Sequence, residues 1–165
     1  QRSNFLGRII DRNFESSEQR EKQVQAIKNA MVRMSRRKTG ALIVLADDTN
    51  LDGLISAGVP MDATISEQLI ESIFNKASPL HDGAVIVENG KVRTASAILP
   101  VSENPNLPKS AGLRHRAAVG ITEKAQVASF IVSEENGNIS YAVDGRLRRK
   151  ITEEELENFL SKHMG

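Results

Sequence analysis

The run GALIVLA, residues 40–46, constrains the fold of this chain more than any other stretch. Six apolar residues follow a glycine without interruption, whereas a strand with one face in water alternates apolar and polar residues. An unbroken run of this length is typical of a strand that is buried on both faces. We therefore expect it near the centre of a sheet that has helices packed against it.

Helices are expected on both sides of this run in the sequence. A cap at Ser16 or Ser17 predicts a helix that ends near Lys38. Ser66 caps a second helix, and a capping box that begins at Thr152 predicts a terminal one. Between the first two helices, LDGLISAG is interpreted as a short helix or a turn.

Strand patterns dominate the second half of the chain. They are AVIVE and KVRTASAILP on either side of an Asn-Gly turn, VASFIVS and ISYAVDG on either side of EENGN, and RLRRKI as a candidate edge strand. Together with the buried run, these segments predict a mixed α/β (α+β) fold. Its centre is a mixed sheet of about six to seven strands flanked by helices.

Composition limits the number of domains and the classes of function. With 165 residues and 39% hydrophobic content, the chain suits one domain with a core. Its 22 basic and 21 acidic side chains give a formal charge of +1, so we expect no nucleic-acid partner. The absence of cysteine excludes thiolate metal sites. No apolar run approaches the roughly 18 residues that span a bilayer, so we expect this chain to be soluble.

The first fifteen residues are interpreted as a segment separate from a single domain at 16–165. This segment contains NFLGRIIDRNF, in which Phe5, Leu6, Ile9 and Ile10 recur at helical spacing. The pattern fits a short surface helix that leads away from a preceding part of the protein, or a loosely packed terminal helix.

An acidic residue stands where the chain passes from a proline turn into a strand, in SPLHDGAVIV at 78–87. The glycine that follows Asp82 lets a ligand approach the backbone, and the carboxylate could hold Mg²⁺ together with phosphate oxygens. The alternative is structural, because Asp-Gly is a common turn dipeptide.

A basic triplet follows Gly112 in GLRHRAAVG. Two arginines and a histidine at a helix N-terminus bring guanidinium groups, an imidazole and backbone N–H groups together, which suits a polyphosphate. The alternative is a solvated helix start. The other basic runs, RMSRRK and RLRRK, are interpreted as solvated faces. His163 is expected to complement the dipole of the terminal helix.

These two motifs stand as Asp82-Gly83-Ala84 and Arg114-His115-Arg116, and with their flanks the chain closely resembles the diadenylate cyclases. The resemblance extends through GALIV, SPLHDGAVIV, RHRAAVGI and IVSEE. Enzymes of this family make cyclic di-AMP from two ATP molecules. The likeness is to the membrane-anchored branch, in which residues 1–15 would lie next to the membrane.

The resemblance implies roles for individual residues. The implied catalytic residues are Asp82, Gly83, Ala84, Arg114, His115 and Arg116. The implied nucleotide contacts are Gly40, Ala41, Leu42, Asp82, Gly83, Leu99, Leu113, Arg114, Ser133 and Glu135. Asp82 would hold the metal, and His81 either assists it or orients the loop. The chain departs from the usual family pattern at Ile98, Leu113 and Ala125-Gln126.

The resemblance also implies cofactors, partners and location. The cofactor would be Mg²⁺ or Mn²⁺ bound with ATP, and catalysis would need a face-to-face homodimer or a higher oligomer. Further expected partners are a membrane regulator and the phosphoglucosamine mutase. The full-length protein would lie at the cytoplasmic face of the membrane, held by transmembrane helices outside this chain. Two other readings stay open: a module that senses ATP or a cyclic dinucleotide without turnover, and a structural or membrane-surface interaction domain.

Overall fold

The computed structural model of this chain describes the backbone of residues 2–165 and the side chains of residues 16–165. Along the described residues, single helices are separated by runs of two or three strands. The elements are α1 (Arg2–Arg37), β1 (Ala41–Asp47), β2 (Ser56–Thr64), α2 (Glu67–Phe74), β3 (Ala84–Glu88), β4 (Lys91–Ile98), α3 (Leu113–Lys124), β5 (Ala128–Val132), β6 (Ile139–Val143), β7 (Arg146–Arg148) and α4 (Glu153–His163).

The strands form one mixed sheet, in the order β2-β4-β3-β1-β5-β6-β7. β1 is the middle strand, parallel to β3 and antiparallel to β5, and its residues 41–46 are all buried. The predicted central strand, the strand number and the mixed α/β class are thereby confirmed. A parallel pair needs a crossover between its strands, and here that crossover contains β2 and α2.

Two apolar clusters cover the two faces of the sheet. On one face, α1, α2 and α4 pack against alternate β1 residues such as Ile43. On the other face, α3 packs against the intervening residues such as Val44 through Ala118 and Val119. Because each strand residue points to the opposite face from its neighbour, an uninterrupted apolar run is what this sandwich requires.

The helix predicted to begin at Ser16 or Ser17 has no boundary there, so that prediction is wrong. α1 runs unbroken from Arg2 to Arg37. A helical turn already precedes the serines, so their N–H groups have backbone partners and need no cap. The neighbouring glutamates, glutamines and arginines are good helix formers. The side chains of Phe5, Leu6, Ile9 and Ile10 lie outside the described ones, and the separation of 1–15 from 16–165 stays a prediction.

Strand β2 had no counterpart among the predicted elements. LDGLISAG contains a turn at 52–54, and the strand begins at Ser56. β2 is a sheet edge that pairs only with β4, and most of its residues are exposed. Left-handed φ angles at Ala57 and Asp62 accompany irregular pairing, and Pro60 lies between them. Such an edge carries no hydrophobic alternation that the sequence could reveal.

The remaining predicted elements are present. The Ser66 hydroxyl accepts from the Leu69 N–H at the start of α2, and Thr152 and Glu155 form the capping box of α4. Both hairpins and the edge strand β7 also form. No helix in residues 2–165 combines the length and apolar content needed to cross a bilayer.

His163 lies in the last turn of α4, as predicted, and the structure adds a contact that the sequence did not suggest. Its Nε2 lies 2.5 Å from the Tyr141 hydroxyl, and burial lowers the pKa of its imidazole below the usual 6.5. A histidine with a lowered pKa carries little charge at neutral pH and complements a helix dipole weakly. The geometry instead makes it a hydrogen-bond partner in the α4 packing.

Candidate functional site

A cavity of about 690 Å³ opens where β1, β3 and α3 begin. Eleven of the residues singled out in the sequence line it: Gly40, Leu42, His81, Asp82, Gly83, Leu99, Leu113, Arg114, His115, Ser133 and Glu135. The two motifs are far apart in sequence, and the fold brings them to one place. The cavity is the candidate site.

Three of the singled-out residues do not line the cavity. Ala41 and Ala84 are buried within the sheet, so only their backbone could serve a ligand nearby. Ala41 belongs to the apolar cluster on the face opposite α3. Arg116 is half-buried on α3, and its carbonyl accepts from the Ser102 N–H. Their assigned roles stay predictions.

The Asp-Gly dipeptide is held by a close backbone crossing. Gly83 has a φ of +85°, and a Cβ there would lie 2.7 Å from the Ala97 carbonyl oxygen. Only glycine fits both the angle and the space. The crossing leaves the side chain of Asp82 85% exposed, ahead of β3 and at the cavity. Its carboxylate is therefore available to a ligand.

His81 presents one ring nitrogen toward Asp82. Its Nδ1 lies 2.7 Å from the Ser78 carbonyl oxygen, which can only accept, so Nδ1 carries the proton. In this tautomer the ring has a lone pair on Nε2, which lies 3.4 Å from Asp82 Oδ1. Two electron-rich atoms facing each other suit a shared cation, and the carbonyl contact is typical of metal-binding histidines.

This pair fits a divalent metal that arrives with phosphate. In the residues with described side chains, no group of three or more histidine or carboxylate side chains could hold an ion unaided. Mg²⁺ usually keeps several waters and binds one or two carboxylates plus substrate phosphates. Asp82, with His81 beside it, matches that limited donor set.

Arg114 lies against a glycine that makes room for it. A Cβ on Gly40 would come within 2.3 Å of the Arg114 Nη1, so the guanidinium occupies the space that a side chain would fill. The Arg114 Nη1 also lies 3.6 Å from the Glu134 Oε2. The N-cap of α3 is Gly112, which supplies no side-chain hydrogen bond to the first turn. An anion could accept from those N–H groups as well as from Arg114.

His115 is the buried member of the triplet, with 7% of its surface exposed. Burial lowers its pKa first, and the nearby charges of Arg149 and Arg114 lower it further, while Glu135 opposes them. The imidazole is therefore neutral near pH 7, and it offers a ligand one donor and one acceptor rather than a positive charge.

The turn between β5 and β6 brings two carboxylates to the cavity, from Glu134 and Glu135. The Ser133 hydroxyl accepts from the Glu135 N–H at 3.2 Å and fixes this turn. A serine hydroxyl that bonds to the backbone two residues later is a common turn device. The same hydroxyl is thus engaged in the turn while its residue lines the cavity.

Several cavity residues were missed in the sequence, and Arg149 is the most informative. RLRRK was interpreted as a solvated face, but Arg149 lines the cavity and donates through Nη1 to the Ser110 hydroxyl at 2.9 Å. Lys76 and Glu134 also line it. Strand alternation from the half-buried Leu147, which packs beneath α3, would have placed Arg149 on the α3 side, so a signal was present.

The mouth of the cavity is apolar. Ile98, Val101 and Leu113 line the cavity and are 57%, 45% and 72% exposed. They are three of the four large hydrophobic residues that are exposed among those with described side chains. A cluster of this kind marks a contact surface rather than random scatter.

Comparison with known proteins identifies relatives of the whole domain. The chain is 42% identical over 155 residues to the cyclic di-AMP synthase CdaA of Bacillus subtilis, covering 93% of this chain and 57% of that protein. It is 43% identical over 141 residues to a diadenylate cyclase of Listeria monocytogenes, covering 86% of this chain and 52% of that one. This chain thus spans little more than half the length of these relatives.

Solved structures share the fold. A crystal structure of a DacA double mutant from Staphylococcus aureus superposes with a TM-score of 0.84 at 44% identity, covering 87% of this chain and 96% of that one. A Bacillus cereus chain described as a hypothetical membrane spanning protein gives 0.75 at 40% identity, covering 78% and 63%. The DAC family model, described as DisA bacterial checkpoint controller nucleotide-binding, matches residues 28–147, and the chain belongs to that family.

Proposed function

We propose that this domain is a diadenylate cyclase, which condenses two ATP molecules into cyclic di-AMP and two pyrophosphates. The observation that carries the proposal is that Asp82, Arg114 and the open first turn of α3 face one cavity large enough for a nucleotide. Family membership and the names of the relatives support it.

The proposed reaction joins two nucleotides twice. The 3′-oxygen of each ATP forms a bond to the α-phosphorus of the other, and the bond from that phosphorus to pyrophosphate breaks. The hydroxyl proton leaves through the Asp82 carboxylate to solvent. Arg114 and the first-turn N–H groups of α3 stabilise the negative charge that develops on the phosphate. Positioning and charge supply most of the acceleration.

Asp82 and His81 are the residues that would hold Mg²⁺ or Mn²⁺ in this site. The bound ion supplies neutralisation of phosphate charge and polarisation of the reacting oxygens. His81 keeps its Nε2 available through the Nδ1 bond to the Ser78 carbonyl. Which of the two ions the domain prefers is a matter for the assay below.

Apolar side chains in the cavity can pack against the adenine base of ATP. Leu42 and Leu99 are nearly buried and line the cavity, and the exposed Ile98 extends this apolar surface to the mouth. Adenine is flat and largely apolar, so aliphatic packing can hold it without an aromatic partner. Gly40, Ser133 and Glu135 would contact the rest of the nucleoside.

The active form in this proposal is a face-to-face homodimer. The cavity contains one Asp82 and one Arg114, whereas two phosphodiester bonds are formed symmetrically. A second copy supplies the other half. The exposed rim of Ile98, Val101 and Leu113 supports this arrangement, because pairing of two mouths would remove these side chains from water.

We further propose that the full-length protein is anchored in the membrane, with this domain on the cytoplasmic side. The Bacillus cereus relative is described as a hypothetical membrane spanning protein, which supports the anchor. A membrane regulator and the phosphoglucosamine mutase are proposed partners that rest on the family resemblance. Co-purification of the full-length protein with each candidate tests them.

The function is tested by incubating the domain with ATP and either Mg²⁺ or Mn²⁺ and separating the products by chromatography. We expect cyclic di-AMP from the parent protein and loss of product in Asp82→Asn. Asp52→Asn is the matched control, because Asp52 is exposed and does not line the cavity. It should keep the parental rate.

Three other outcomes would contradict the proposal or the role of Asp82 in it. Binding of ATP without product at high protein concentration, with both metals, would favour the sensing module. Equal activity of Asp82→Asn and the parent would remove the carboxylate from the mechanism. Salt-dependent binding to liposomes without any nucleotide binding would instead favour the interaction domain.

A further inference from the structure

We propose that Arg149 is a phosphate-binding residue of this cavity, in addition to Arg114, and that its ligand is the polyphosphate chain of the nucleotide. This inference deepens the proposed function and rests on it. Arg149 lies two residues beyond the segment that the family model matches, which ends at residue 147. Its assignment comes from the geometry of this chain alone.

Strand alternation aims Arg149 into the cavity. In β7 and the residue after it, Leu147 packs against the cluster beneath α3, and Arg149 follows two positions later on the same side. Arg148 points to the opposite face of the sheet. There it pairs with Glu155, and its Cζ lies 5.5 Å from the centre of the Phe159 ring. Neighbouring arginines therefore serve different faces.

The charge of Arg149 has no acidic partner in the described residues. No carboxylate of residues 16–165 lies within 4.0 Å of its guanidinium, whereas Arg114 has Glu134 at 3.6 Å. Its contact is the neutral hydroxyl of Ser110, which accepts from one nitrogen at 2.9 Å. The rest of a five-donor guanidinium stays available, and this fork matches the geometry of phosphate oxygens.

Arg149 and Arg114 both bring a guanidinium group to the cavity, which Glu134 and Glu135 also line. Arg149 is close enough to His115 to disfavour protonation of the imidazole, as Arg114 does. Two guanidinium groups in one cavity can together donate to the oxygens of a polyphosphate. One arginine lies in the first turn of α3 and the other directly after β7, and both lower the pKa of His115, whereas Glu135 raises it.

The Ser110 contact gives Arg149 its position. Ser110 belongs to the loop between β4 and α3, and the hydrogen bond links this loop to the connection between β7 and α4, across 39 positions of sequence. The bond orients the side chain without neutralising it. The alternative is that Arg149 serves only to hold this loop through Ser110. In that case, removing the Ser110 hydroxyl should cost as much affinity as removing the Arg149 side chain.

The test is calorimetric titration of the domain with ATP and, separately, with inorganic pyrophosphate, in the presence of Mg²⁺. We expect Arg149→Ala to lower the affinities for ATP and for pyrophosphate by roughly 10- to 100-fold, as for loss of a hydrogen bond to a charged group. Arg149→Lys should recover part of the affinity. Arg146→Ala is the matched control, because Arg146 is an exposed arginine of the adjoining strand β7 and does not line the cavity.

Ser110→Ala separates phosphate binding from tethering. It removes the loop contact and keeps the guanidinium, so we expect it to retain most of the affinity. If Ser110→Ala loses as much as Arg149→Ala, Arg149 acts only as a tether and the proposal is overturned. Parental affinity in Arg149→Ala overturns it as well.

Failure of this inference can be distinguished from failure of the cyclase proposal. Pyrophosphate cannot be cyclised, so its titration measures phosphate binding without turnover. If the parent binds ATP and makes no cyclic di-AMP, the cyclase proposal fails while the titrations still decide the role of Arg149. If the parent makes cyclic di-AMP and Arg149→Ala binds ATP as the parent does, only the role of Arg149 is refuted.

Discussion

The contact between Gly40 and Arg114 allows an active-site arginine to be moved without being altered. Gly40 has no left-handed φ, so an alanine is compatible with the backbone. Its Cβ would lie 2.3 Å from Arg114 Nη1 and 2.5 Å from Cζ, where ordinary contact begins at 3.4 Å. The clashing atoms form the end of a flexible side chain, so the fold should survive while the guanidinium shifts.

The expected shift is about 1 Å, and a displacement of that size can cost roughly 100-fold in rate. We therefore expect Gly40→Ala to lower kcat/KM for cyclic di-AMP formation by about 100-fold, or about 2.7 kcal/mol in transition-state stabilisation. Thermal unfolding should show a melting temperature close to that of the parent, because the clash is relieved outside the core.

A double-mutant cycle decides whether the effect passes through Arg114. If it does, Gly40→Ala combined with Arg114→Ala should be no slower than Arg114→Ala alone. If the two losses add, the new methyl group acts on the nucleotide directly and the reasoning about Arg114 is refuted. A loss below about threefold in the single variant would show that the guanidinium position matters little.

Three further predictions concern stability and are checked by urea unfolding. The Ser129 hydroxyl is fully buried and has no hydrogen-bond partner among the described residues. Ser129→Ala should therefore raise the free energy of unfolding by about 1 kcal/mol. A decrease would contradict this prediction. In Gly120→Ala the Cβ would lie 1.9 Å from the Pro100 carbonyl oxygen, so we expect a loss at or above the upper end of roughly 1–3 kcal/mol; unchanged stability would refute the close packing. His115 and His163 have folded pKa values below the usual 6.5, so the unfolded chain binds their protons more readily, and stability should fall as pH falls below about 6.5. His163→Gln should flatten that decline, and an unchanged slope would exclude His163 as a cause.

Local patterns in the sequence were sufficient for elements whose stability is local. β1 was recognised because burial on both faces demands apolar residues at every position, and α2 and α4 were recognised because their caps lie next to them. The long α1 was divided in two because a serine that can cap a helix can also lie within one. The difference depends on the preceding turn rather than on the serine.

Elements that depend on distant partners were not predictable in the same way. β2 is held by backbone pairing with β4, and that pairing makes no demand on side-chain hydrophobicity at an exposed edge. The tether of Arg149 to Ser110 crosses 39 positions, and neither residue signals the other. Motif residues and several of their neighbours in the site could be chosen by resemblance, whereas contacts such as this tether are visible only in the folded chain.

The basic triplet shows how a motif and a site can differ in their charged members. Adjacent helical residues are separated by about 100°, so Arg114 and Arg116 point about 200° apart and cannot both face one cavity. Arg114 lines the cavity, and Arg116 does not. Burial between Arg114 and Arg149 keeps His115 neutral. The motif therefore supplies one positive charge to this wall, and Arg149, from beyond β7, supplies another. Three adjacent basic residues suggest a cluster of three charges, but helical geometry and desolvation reduce the contribution of the motif to one, and Arg149 joins Arg114 in lining the cavity.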